Sequence, residues 1–66
     1  MAVAKVIEII SSSTKSWDDA VKQGISRANK TLKGVTGIDL ISQKIKMQDG
    51  KVVEYRVHMH VTFILA

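Results

Sequence analysis

His58 and His60 stand two residues apart in the stretch YRVHMHV. In an extended chain alternate side chains share one face, about 7 Å apart, a spacing at which two imidazoles can ligate one metal ion. A third ligand would come from a neighbouring strand or subunit, with Glu54 and Asp39 as the candidate carboxylates. The competing reading is a pair of surface or interface histidines. Arg56 lies on the same face and offers a planar fork for a phosphate or carboxylate, to which Lys44 and Lys46 could add charge. Its competing role is an ion pair to Glu54 or Asp39 between subunits. Asp18 and Asp19, with Ser16, supply oxygen ligands of the kind Ca²⁺ takes, but two adjacent acids need further ligands from another subunit. Ser11-Ser12-Ser13-Thr14 lacks the glycines of a phosphate loop and reads as a connection and cap. There is no Cys, no Ser-His-Asp arrangement with supporting context and no carboxylate pair flanking a cleft. Binding, not catalysis, is the expected class.

These groups need a scaffold, and the run Lys51–Ala66 supplies its centre. Val53, Tyr55, Val57, Met59, Val61, Phe63 and Leu65 share one parity, and Glu54, Arg56, His58, His60 and Thr62 the other, which predicts a half-buried strand. From Val52 to Leu65 it would span roughly 45 Å. A compact chain of this size has a radius of gyration of only about 11 Å, so part of the strand is expected to lie against other subunits.

The remaining elements follow in chain order. Val3–Ile10 is short and β-branched, hence a strand, with Lys5, Ile7 and Ile9 on one face and Ala4, Val6, Glu8 and Ile10 on the other. Ser16 is a good N-cap and Asp19 a capping-box partner. From there Trp17, Ala20, Val21, Ile25, Ala28 and Leu32 recur at helical spacing, Lys30 and Lys33 suit the C-terminal end, and Gly34 is a natural C′ residue. Gly24, inside the helix, is explained by close approach to a strand. Ile38–Met47 is the second strand, with Asp39, Ile41, Gln43, Ile45 and Met47 on one side and Leu40, Ser42, Lys44 and Lys46 on the other. Asp49-Gly50 joins it to the last strand as a type I′ hairpin turn. The expectation is one α+β domain of order β-α-β-β, a three-stranded antiparallel sheet wrapped on one helix.

Composition narrows the partners. Sixty-six residues without cysteine form a marginal core unless oligomerisation helps. The net charge of +4 comes from basic residues scattered along the chain, and one Phe, one Tyr and one Trp make no base-stacking platform, so nucleic acid is not expected. No apolar run reaches membrane-spanning length and the N-terminus lacks a signal-peptide pattern, which predicts a soluble cytoplasmic chain.

In order and spacing, KVIEI, SWDDAV, RANKTL, DGKVVEYRV and VTF resemble the dodecins, small β-α-β-β flavoproteins that assemble as hollow dodecamers. The resemblance covers nearly the whole chain. It implies a homododecamer that binds or stores riboflavin or FMN between subunits. In typical dodecins a Trp before the second strand stacks on the flavin and a Gln after the Tyr of the last strand bonds its edge; here those positions are Gly37 and Arg56. Loss of a stacking aromatic removes about 1–3 kcal/mol. A cation-binding shell using His58 and His60, or carboxylates such as Asp18 and Asp19, and a structural oligomer without flavin are the alternatives.

Overall fold

The computed structural model describes residues 3–65; Met1, Ala2 and Ala66, where the alternating run ends, lie outside the described residues. Four elements follow one another: β1 (Val3–Ser13), α1 (Trp17–Thr31), β2 (Val35–Gln48) and β3 (Lys51–Leu65). The strands form one antiparallel sheet in the order β1-β3-β2, so the last strand is the central one. The expected architecture is the observed one.

β3 is central because it alone has a complete apolar parity. Val57, Met59 and Val61 are wholly buried beneath the helix, while Arg56, His58 and His60 lie on the open face. Asp49 and Gly50 both adopt positive φ, 52° and 75°, as a type I′ turn requires. β1 pairs with β3 only as far as Ser13 opposite Tyr55, so the β2–β3 tip beyond it is a two-stranded arm that exposes Met47 and Val52. The molecule measures 51 × 19 × 13 Å, with a radius of gyration of 13.6 Å. That exceeds the roughly 11 Å of a compact chain.

Three expectations about element bounds and parity are corrected. β1 runs on through Ser11–Ser13, because β3 is long enough to pair their backbones, and only the short stretch before Ser16 connects strand to helix. Their hydroxyls join the two elements: Ser11 Oγ donates to the Ala20 carbonyl at 2.6 Å and Ser13 Oγ to the Asp19 carboxylate at 2.6 Å. The helix ends at Thr31 with Leu32 as C-cap, so Gly34, at φ 74°, lies beyond the C′ position, where its carbonyl accepts from the Ile64 N–H. Register irregularities at Leu40/Ser42 and Lys46/Met47 interrupt the parity of β2. Leu40 therefore pairs with Met59 on the helix side and Asp39 with His60 on the open side, the reverse of strict alternation.

The helix approaches the sheet through Ala20, Gly24 and Ala28, all buried, while Ile25, expected in the apolar stripe, is 36% exposed. These small residues bring the helix backbone close to β3. A Cβ at Gly24 would fall on Met59 Cε and lie 3.2 Å from Ser11 Cβ. The Met59 methyl is the free end of a flexible side chain, but Met59 is wholly buried and Ser11 sits on a paired strand, so Gly24→Ala is expected to destabilise by about 1 kcal/mol, overpacking net of the gain in helix propensity. A urea titration reads this as a lower midpoint.

Ser16 caps the helix, its Oγ accepting from the Asp19 N–H at 3.0 Å. The Asp19 carboxylate does not return that bond as a capping box would; it accepts from Ser13 and, at 2.7 Å, from Gln23. The Ser13 hydrogen bond, followed by that from Gln23, holds the Asp19 carboxyl below its ordinary pKa. A folded pKa below the unfolded one stabilises the fold at neutral pH, and this is lost as pH falls below about 4, through the folded pKa. Asp19→Asn should lower the urea midpoint at pH 7 and reduce the further loss on acidification to pH 3, both relative to wild type.

Candidate functional site

Alternate positions of β3 place His58 and His60 side by side on the open face, ring centroids 5.7 Å apart and planes at 86°. The antiparallel register sets Glu8 of β1 opposite His60 and Ile10 opposite His58. Glu8 Oε1 lies 3.1 Å from His58 Nε2 and 3.6 Å from His60 Nε2. One donor atom from each of the three residues falls within 4.8 Å of the others.

Glu8 is the residue that sequence reasoning missed. The sequence offers Glu54 and Asp39 as the third ligand, yet Glu54 is paired with Arg56, and Asp39, though opposite His60, is not in the cluster. The signal was present: Glu8 is the one acid in a β-branched strand, on the parity of Ala4, Val6 and Ile10.

The electrostatics of the cluster are incomplete. Polar contact with His58, followed by the imidazole's charge, holds the Glu8 carboxyl below its ordinary pKa. At 3.1 Å that contact has hydrogen-bond length, but its geometry does not make a hydrogen bond, and His58 Nε2 is buried without a partner. Alignment determines a hydrogen bond's strength, so the short contact alone does not satisfy the ring nitrogen. A buried ring nitrogen thus stands without a hydrogen bond beside an exposed carboxylate.

The other candidates are dispersed. Arg56 donates to Glu54 Oε1 through Nε at 3.2 Å and Nη2 at 2.9 Å, an ion pair within one strand. Lys44 faces Arg56 and Lys46 faces Glu54 across β2–β3, and a cavity of about 100 Å³ is lined by Ile10, Ser42, Lys44, Arg56 and His58. Gly37 lies opposite Thr62, with nothing within 4 Å of where a Cβ would sit. Arg56 and Thr62 are six residues apart on β3, roughly 20 Å. One flavin could meet both Gly37 and Arg56 only if they came from different subunits. Asp18 and Asp19 join no group of three ligating side chains among the described residues, and Asp19 is engaged at the helix cap. No helix among the described residues is long and apolar enough to cross a membrane.

Comparison with known proteins gives a consistent result. A family model described as Dodecin matches residues 3–66. The calcium dodecin of Mycobacterium tuberculosis is 30% identical over 63 residues, covering 96% of this chain and 89% of that protein. Its solved structure, described as a calcium-chelating immunodominant antigen with a novel calcium-binding site, superposes with a TM-score of 0.85 at 31% identity, covering 97% of this chain and 91% of that one. A dodecin from Streptomyces davaonensis superposes at TM-score 0.92 with 28% identity, covering 98% of this chain and 96% of that one.

Proposed function

Because the chain belongs to the dodecin family, we propose that it is a non-enzymatic, self-assembling protein that holds a divalent cation on the open face of its sheet, between subunits. The observation that carries this reading is the convergence of Glu8, His58 and His60, one from β1 and two from β3, around a ring nitrogen without a partner. The similarity to a calcium dodecin supports cation binding as the class. Self-assembly, as in a homododecamer, is supported by Val6 and Ile10, which flank Glu8 on the same face and are 55% and 66% exposed. A chain of this size with so few wholly buried apolar side chains needs such help to be stable.

Flavin binding is the second reading, favoured by the open space at Gly37, into which a planar ring could fit. The Arg56–Glu54 pair works against it by occupying the guanidinium. One experiment separates the readings. Metal-free protein is melted alone and with Ca²⁺ or Zn²⁺, and separately titrated into riboflavin or FMN while fluorescence is followed. A cation that binds only the folded state adds about 2.7 kcal/mol of stability at one hundred times its Kd, and chelator reverses the shift. Unchanged melting with either cation, together with flavin quenching at micromolar protein, would replace the cation reading by the flavin one.

A further inference from the structure

We infer that the Glu8–His58–His60 cluster is a site for a borderline transition-metal ion such as Zn²⁺, and that it discriminates against Ca²⁺. The inference rests on the cation reading and sharpens it. Calcium takes six to eight oxygen ligands at 2.3–2.6 Å, whereas this cluster offers two imidazole nitrogens and one carboxylate. That donor set does not fit calcium. Two His and one carboxylate, with a fourth position left for water or another subunit, is a composition that Zn²⁺ accepts, with ligand bonds of about 2.0–2.2 Å.

Geometry supports the same choice. Tetrahedral ligands about 2.1 Å from an ion lie about 3.4 Å apart. Glu8 Oε1 is already 3.1 and 3.6 Å from the two ring nitrogens, and the donor atoms of the two histidines lie within 4.8 Å of each other. Glu8 is 58% exposed and can rotate to admit an ion, while the histidines are held on the central strand. His58 Nε2, buried and without a hydrogen bond, gains a partner in the ion. The nearby positive charge does not prevent this. Arg56 is neutralised by Glu54, and Lys44 is exposed, where solvent and salt screen it.

The test uses the full-length, metal-free protein and its His58→Gln, His60→Gln and Glu8→Gln variants, each checked by circular dichroism. Zn²⁺ binding is followed by isothermal titration, with and without a hundredfold excess of Ca²⁺. The wild type should bind Zn²⁺ undisturbed by Ca²⁺, and each substitution should weaken binding at least tenfold. Exposed Glu8 keeps the test decisive should a histidine variant fail to fold. Zn²⁺ binding unaltered by the substitutions, or Ca²⁺ displacing Zn²⁺, would overturn this assignment while leaving cation binding in place. If neither cation binds, both this assignment and the cation reading fail.

Discussion

Met59→Ala is expected to destabilise the protein by about 2–5 kcal/mol, the range for truncating a buried Met to Ala. Met59 is wholly buried at the centre of β3 and its terminal methyl reaches the backbone of Gly24. Around it pack Ala20 and Val57, with Ile9, Trp17, Val21 and Ile38 closing the cluster. Two of the helix residues here, Ala20 and Gly24, are too small to move into the vacated space. Typical domains are stable by only about 5–15 kcal/mol, and a chain of this length belongs near the low end. The variant should therefore be largely unfolded in mild urea, with its midpoint lowered well beyond that of Gly24→Ala. Met59→Leu, which keeps most of the volume, should stay within about 1.5 kcal/mol of wild type. When Gly24→Ala is combined with Met59→Ala, the added helix methyl has no thioether methyl to strike, so the two losses should fall short of additivity. Additive losses would mean that the two residues do not share one space.

The other large effect concerns assembly. With Val6 and Ile10 both changed to Asp, the chain's own core loses nothing, because each side chain is more than half exposed and faces away from the helix. If another copy covers that face, two carboxylates beside Glu8 would be buried without partners, at several kcal/mol each. Light scattering with chelator present should then show the mass falling toward the 7.3 kDa of a single chain. Melting temperature should fall with it, since an isolated chain of this size is marginal. An oligomer of unchanged mass would show that the open face is not an interface.

The elements of the fold were legible because each had an independent local signal: strict alternation in the last strand, Ser16 and Asp19 at the helix start, Asp49-Gly50 at the hairpin. Errors arose where long-range pairing overrode those signals. Ser11–Ser13 reads as a connection by composition, yet a long enough neighbour turns it into strand. The irregularity between Leu40 and Ser42 reverses the parity of half of β2, and no residue type there announces it. Ile25 fits the helical stripe by spacing but is displaced from the core because Ala20, Gly24 and Ala28 bring the helix so close. The histidine pair of the site was visible from spacing alone, but Glu8 was not, since its position depends on the register between the first and last strands.

That register also dictates when the protein can fold. Val3 pairs with Leu65 at one end of β1 and Ser13 with Tyr55 at the other, so β1 has no partner in the sheet until β3 has been synthesised. The β2–β3 hairpin closes over a two-residue turn and can form within microseconds. β1 and the helix must then be captured across most of the chain's length, at a loop-closure cost that the hairpin does not bear. The candidate ligand set obeys the same order. His58 and His60 belong to one strand, and Glu8 reaches them only when the N-terminal strand pairs with it.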